Sequence, residues 1–334
     1  MLFWRMKTLS TTLPTTNIAH LNLSDTSQTD ASLTHLSLSL PLITTLSTLL
    51  LTDNKITHVG MQPFALALRD SPHLKTLDLS SNQGITDLGA QRITASLVEP
   101  GCKLESLALE RCNIGYKAVY PLSKVLHQTR LICLKISENP RIGPPGLTHL
   151  GNAIGGGYGG RCVLREFYAA GVTGKDAGCR AVAEGLVSAA VVGDVKKRRQ
   201  SQGQQRGSGS GFGGKGKNVV YGPPVVVDAL DCVRTPVLGG LRVLDLRDNL
   251  ITNEGAIVLA SVFSGSTCVL EKLFLEENSI TDRGVVSLAN ALVLPGCVLS
   301  ELALECNLVE KEGVLALERA FGEVRKRRMI KIRY

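Results

Sequence analysis

The residues best suited to chemistry are Gly209 to Lys215, GSGFGGK, which fit the phosphate-cradling spacing GxxxxGK; Gly209, Gly211 and Gly214 also fit GxGxxG, as do Gly155, Gly157 and Gly160. Such loops hold a phosphate where a strand leads in and a helix leads out, so that backbone N–H groups and the positive helix end face the anion. Around Gly209 no strand or helix pattern is present, and Gly216 replaces the Ser or Thr that would reach Mg²⁺. Around Gly155 a helical pattern precedes and a strand pattern follows, which is the reverse order. Six histidines, at 20, 35, 58, 73, 127 and 149, are scattered without an HExxH or a recurrent Ser or Cys partner. Each reads as a surface or loop residue, so no catalytic base is assigned. Nine cysteines include no CxxC and no Cys/His cluster at metal spacing, which supports neither a zinc site nor a disulfide framework. The expectation is a noncatalytic chain with no cofactor and no metal.

The net charge of +8 has the sign expected of a nucleic-acid binder until it is located. Lys196, Lys197, Arg198, Arg199, Arg206, Lys215 and Lys217 against Asp194 give +6, and Arg325, Lys326, Arg327, Arg328, Lys331 and Arg333 against Glu323 give +5, so the remaining residues together carry −3. The body of the chain is mildly acidic and bears two basic appendages. Lys196 to Arg199 and Arg325 to Arg328 each have the form of a nuclear-import signal, or of a nonspecific contact for nucleic acid or acidic membrane. The plain alternative is a solvated loop and a charged terminal cap. Ala31 to Thr52 runs 22 residues without Asp, Glu, Lys or Arg, but nine of them are Ser or Thr and His35 and Pro41 interrupt it, so no membrane span is expected. Unpaired thiols place the protein in the cytoplasm, with the nucleus as the alternative.

The elements that must position any site are set by a repeat. Leu241, Leu244, Leu246, Asn249 and Ile251 return as Leu270, Leu273, Leu275, Asn278 and Ile280, a period of 29 residues. The register LxxLxLxxNxI starts again at Leu46, Leu74, Leu104, Leu131, Leu164 and Leu299, and weakly at Ile18, with Cys112 in the Asn position of one unit and no Asn in the unit from Leu164. Cys102, Cys162, Cys268 and Cys297 each stand two residues before a unit's first Leu, and read as small buried apolar side chains. Leu244 and Leu246, two apart, face one side of a short strand and point into a core. Asn249 can bond the backbone where the chain leaves the strand. Thr252-Asn-Glu-Gly255 then opens a helix capped by Thr252 or Asn253, and Thr-x-x-Gly recurs at Thr57, Thr86 and Thr281. A strand and a returning helix cannot bury their own apolar face, so eight or nine units must stack into a curved solenoid, strands inside and helices outside.

The period, the LxxLxLxxNxI strand and the TxxG helix start resemble ribonuclease-inhibitor-type leucine-rich repeats. The resemblance covers roughly residues 18–334 outside an insertion. It implies an α/β leucine-rich-repeat solenoid, or horseshoe, similar to the repeat regions of NOD-like receptors and Ran GTPase-activating proteins, and a protein–protein interaction role. Two alternating Cys-bearing repeat types are missing, so ribonuclease inhibition itself is not expected. The basic end RKRRMIKIRY departs from the acidic tail of a Ran GTPase-activating protein. Three regions follow: an N-terminal part of the array over residues 1–187, a basic Gly/Ser/Gln-rich insertion over 188–236 read as disordered, and a C-terminal part over 237–334 ending in a basic strand at Met329 to Ile332. The apolar start at Met1, without a polar cap, is the form expected of a truncated array.

Residues between the buried leucines face outward on the concave sheet and are free to vary. In the last three units these are Val243, Asp245 and Arg247; Lys272, Phe274 and Glu276; Glu301, Ala303 and Glu305. Asp245, Arg247, Lys272, Phe274, Glu276, Glu301 and Glu305 are therefore the candidate partner-binding residues: an exposed aromatic anchor, Phe274, within an acidic rim. The alternative is that the charges only solvate an exposed face. The expected function is a scaffold for a protein partner. Regulation of a small GTPase, nucleic-acid association through the basic segments, and a basic insertion that folds back on the acidic face are the competing expectations.

Overall fold

The computed structural model describes residues 12–13, 17–158, 160, 162–187, 240–264, 268–326 and 329–334. Ten three-residue strands form one sheet in chain order: β1 (His20–Asn22), β2 (Thr48–Leu50), β3 (Thr76–Asp78), β4 (Ser106–Ala108), β5 (Cys133–Lys135), β6 (Glu166–Tyr168), β7 (Val243–Asp245), β8 (Lys272–Phe274), β9 (Glu301–Ala303) and β10 (Lys331–Arg333). All neighbours are parallel and in repeat register, so Leu49, Leu77, Leu107, Leu134, Phe167, Leu244, Leu273 and Leu302 form one buried row across the sheet. The helices between them are α1 (Asp30–Ser39), α2 (Met61–Arg69), α3 (Thr86–Leu97), α4 (Tyr116–Val125), α5 (Gly143–Ile154), α6 (residues 175–187), α7 (Asn253–Val262), α8 (Asp282–Leu292) and α9 (Lys311–Arg325). Strands stack about 4.8 Å apart while helices need about 10 Å, so the sheet must take the inner, concave side.

Among the described residues the array is nine units closed by a tenth strand, so the weak unit at Ile18 is real and the basic end supplies β10, two residues later than expected. β6 pairs directly with β7, and the sheet continues across the insertion as if it were absent. The insertion, residues 188–236, lies outside the described residues, and with it Lys196, Lys197, Arg198 and Arg199. Arg327 and Arg328 also lie outside them. Residues 31–52 form α1, a short turn and β2, and among the described residues no helix is long and apolar enough to cross a membrane.

Two hydrogen-bond devices join each unit to the next. The buried Asn278 donates from Nδ2 to the carbonyls of Leu275, Glu276 and Leu246, while its Oδ1 accepts from the backbone N–H groups of Asn249 and Ile251 in the preceding unit. Asn54, Asn82, Asn139, Asn249 and Asn307 donate in the same way, so the ladder asparagine satisfies its own bend and its neighbour's at once. There are two exceptions: Val172, in the unit from Leu164, has no polar side chain, and Cys112 donates its thiol to the carbonyls of Leu79 and Glu110 and supplies no side-chain acceptor.

The second device corrects the expected capping. Thr252 does cap α7, its Oγ1 accepting from the N–H of Glu254, but Asn253 caps the following helix: its Oδ1 accepts from the N–H groups of Thr281 and Gly284. Asp176 likewise accepts from the N–H groups of Thr252 and Gly255 and from Thr252 Oγ1. Asp30 does the same for Thr57, Asp87 for Gly115 and Asp282 for Glu310. This explains the glycine of Thr-x-x-Gly, because a Cβ on Gly255 would stand 2.6 Å from Asp176 Oδ1 and one on Gly284 would stand 2.7 Å from Asn253 Oδ1.

Of the eight described cysteines, only Cys306 is exposed. Burial pushes the thiols of Cys102, Cys179 and Cys268 up, that of Cys112 to about 12, and those of Cys133 and Cys162 to about 11. Native iodoacetamide labelling at neutral pH, read by mass spectrometry, should therefore modify Cys306 at least about 100-fold faster than Cys112, since the thiolate is the nucleophile. Comparable rates at the two would show that the ladder position is open to solvent.

Candidate protein-binding surface

Strand register arranges the outward side chains in three rows across the concave face. Glu166, Val243, Lys272, Glu301 and Lys331 form the first, and Tyr168, Asp245, Phe274, Ala303 and Arg333 the second. Ala170, Arg247, Glu276 and Glu305, just beyond the strand ends, continue the alternation as the third. The site residues expected from sequence therefore do come together, but they do not form an open acidic rim. Asp245 is only 1% exposed, because the rings of Tyr168 and Phe274 flank it on the neighbouring strands. Arg247 closes over it, with Nε 2.9 and 3.1 Å and Nη2 2.7 Å from the carboxylate oxygens. Hydrogen bonding to Asp245 holds the Arg247 guanidinium even more firmly protonated than usual.

Glu276 is also buried, 8% exposed, and desolvation raises its carboxyl above the ordinary range. Arg333 reaches Glu276, Glu301 and Glu305, while Lys331 and Lys272 reach Glu301. Phe274 is half-buried, with the Arg333 guanidinium beside its ring. The terminal basic strand thus neutralises the carboxylates that the sequence left unopposed. Tyr168 donates to Glu166, and burial followed by the Glu166 charge lifts its phenol to about 12. Of the basic segment at the end of α9, Arg325 and Lys326 are exposed, Arg325 lying 5.8 Å from the Phe321 ring.

Beside the third row the chain turns off the strands around an open hollow of about 470 Å³. Carboxylates from five units line it: Asp78, Glu110, Glu138, Asp248 and Glu277. Opposing them are Arg111 and the already engaged Arg247. Glu138, Asp248 and Glu277, with Ser81 and Arg111, occupy the position just before the ladder residue, in left-handed backbone with φ between 47° and 60°. Each turn bends sharply there and carries its side chain to the rim. Sequence reasoning passed over this row. The available signal was the acidic residue preceding the ladder asparagine in Asp53, Glu138, Asp248 and Glu277.

A family model described as Leucine Rich repeat matches residues 43–65, 70–93 and 241–260. Ribonuclease inhibitor of Mus musculus is 34% identical over 144 residues, 43% of this chain and 30% of that protein. Ribonuclease inhibitor of Sus scrofa is 33% identical over 99 residues, 30% of this chain and 22% of that protein. The chain carries leucine-rich repeats of the ribonuclease-inhibitor type. Its match spans under a third of the length of these relatives. Among solved structures, a leucine-rich-repeat chain described as the TLR13–ssRNA13 complex aligns over 97% of this chain and 33% of that chain, at 15% identity and a TM-score of 0.45.

Proposed function

We propose that the protein is a noncatalytic scaffold, acting in the cytoplasm or nucleus, that holds a basic protein surface in the hollow of its concave face. One observation carries this reading: five carboxylates from five different leucine-rich repeats converge on one open hollow in which Arg111 is the only base not already engaged by a neighbouring carboxylate. The ladder asparagines and inward leucines recur in most units, whereas the residues lining the hollow are more varied, from Asp78 and Arg111 to Ala170 and Arg247. Complementary charge steers a basic partner into such a concavity and fixes its register.

Affinity capture with the intact chain and with Glu110→Lys/Glu138→Lys tests it. Both side chains reach solvent, so the fold should be unaffected. Partners retained by the intact protein should bind the charge-reversed variant about tenfold more weakly or worse, roughly 1.4 kcal/mol. Their affinity should also fall as salt rises. An unchanged set of captured proteins would remove the hollow from the binding surface.

A further inference from the structure

Phe274, Glu276, Glu301 and Glu305 converge on one cation, Arg333 of β10. The guanidinium carbon lies 5.9 Å from the Phe274 ring centroid. Its nitrogens lie 3.3 Å from Glu276 Oε1, 3.6 Å from Glu301 Oε1 and 3.4 Å from Glu305 Oε1. An aromatic ring bordered by carboxylates is a recognised way to read a guanidinium.

The fit is incomplete. Each of the three ion pairs is a single-oxygen contact longer than the roughly 2.7–2.9 Å of a charge-assisted hydrogen bond. Arg247 on the same face engages both oxygens of Asp245, with contacts down to 2.7 Å. Glu276 Oε2 and Glu305 Oε2 are buried and accept no hydrogen bond, and Arg333 Nε donates none. Glu276 is more than nine-tenths buried, so its idle oxygen carries a desolvation cost that a well-aligned donor would remove. The pocket offers more acceptor capacity than Arg333 uses.

The present occupant is also weakly held. β10 is three residues long and pairs with β9 along one side, and Met329 just before it is 87% exposed. Withdrawing β10 would leave the three carboxylates opposed only by Lys272, which reaches Glu301, and by Arg247, which is near Glu276 but already held by Asp245. The geometry points to an arginine-binding site, built from Phe274, Glu276, Glu301 and Glu305, that the chain's own Arg333 fills and that a partner's arginine takes over when β10 is displaced. This inference rests on the concave-face reading and specifies one side chain that face recognises.

Fluorescence polarisation with a labelled Gly-Arg-Gly-Arg-Gly peptide tests it without a natural partner. Lys331→Ala/Arg333→Ala should bind the peptide about tenfold tighter than the intact chain, as expected when a self-occupied state near 90% is removed. Adding Glu276→Gln/Glu305→Gln should abolish that gain, and a lysine-for-arginine peptide should bind several-fold more weakly, since an ammonium lacks the planar five-donor fork and the flat face that stacks on an aromatic ring. Equal affinity for the intact chain and Lys331→Ala/Arg333→Ala overturns the inference, as does indifference to the Gln changes in a variant whose thermal melt shows it folded. Glu318→Lys, an exposed position of α9 away from the concave face, should leave the peptide affinity within about twofold. A larger loss would mean that overall charge, and not this pocket, holds the peptide, which also overturns it. Because no captured partner enters the assay, failure of the hollow as a docking surface would not disturb its result.

Discussion

Asn139→Ala should unfold the chain at markedly lower urea, with a stability loss of about 3–5 kcal/mol, among the largest for any single polar truncation. Asn139 is fully buried. Its Nδ2 donates to the carbonyls of Leu109, Ile136 and Ser137 at 2.8 to 3.0 Å, and its Oδ1 accepts from the N–H groups of Cys112 and Ile114 at 3.1 Å each. Alanine leaves those two amides without their acceptor in the interior, at about 1–3 kcal/mol each, besides the stranded carbonyls. The preceding unit makes this position more demanding than its equivalents. The Cys112 thiol donates to the carbonyls of Leu79 and Glu110 but not to that of Leu109, so Asn139 supplies the side-chain donor to Leu109 as well as the acceptor for the bend around Cys112. Because repeat arrays couple mainly through nearest-neighbour interfaces, the damage should centre on the units of β4 and β5. Hydrogen exchange would show faster opening there than around Asn278. The exposed Asn152→Ala is the control, expected within about 0.5 kcal/mol. A loss below 1 kcal/mol at Asn139 would mean that water replaces the amide without penalty.

The same residues show how far the sequence could be read. The leucines and asparagines were legible because every unit places them in the same surroundings, so periodicity alone reports burial and bonding. Thr-x-x-Gly was legible as a helix start but misread in detail. Asn253 and Asp176 act on the helix of the next unit, and spacing within one unit cannot reveal a contact between two. Asp245 and Glu276 were correctly placed on the outward face, yet their burial depends on neighbours across the sheet. Tyr168, which covers Asp245, lies on the far side of the insertion, and Arg333, which neutralises Glu276, arrives two strands later. The hollow was illegible for a related reason. Three of its carboxylates, Glu138, Asp248 and Glu277, project from left-handed turns, and neither the alternation of a strand nor the period of a helix marks that conformation.

Gly151→Ala is the second large effect, and its sign is what tests the packing. Alanine in place of a glycine inside a helix ordinarily stabilises by about 0.5–1 kcal/mol. In α5 the substitution should instead cost about 2–3 kcal/mol, because a Cβ on Gly151 would overlap the backbone of Ala181 and Val182 in α6, while Gly185 of α6 packs on the Gly151 carbonyl. Backbone meets backbone at this crossing, so no side chain can rotate aside and the helices must separate. Gly322→Ala in α9 is the matched control: a Cβ there meets nothing within 4 Å, and a gain of about 0.5–1 kcal/mol is expected. Urea titrations of the two variants should therefore shift in opposite directions, and a stabilised Gly151→Ala would show that α5 and α6 are not in backbone contact. The consequence extends beyond one interface. α6 begins at the residue before Asp176, whose carboxylate holds the start of α7 through Thr252 and Gly255. Moving α6 off α5 draws that carboxylate away from α7, loosening the one helix-to-helix junction that must bridge the inserted residues, and the hollow, whose carboxylates come from both sides of that junction, would lose its shape with it.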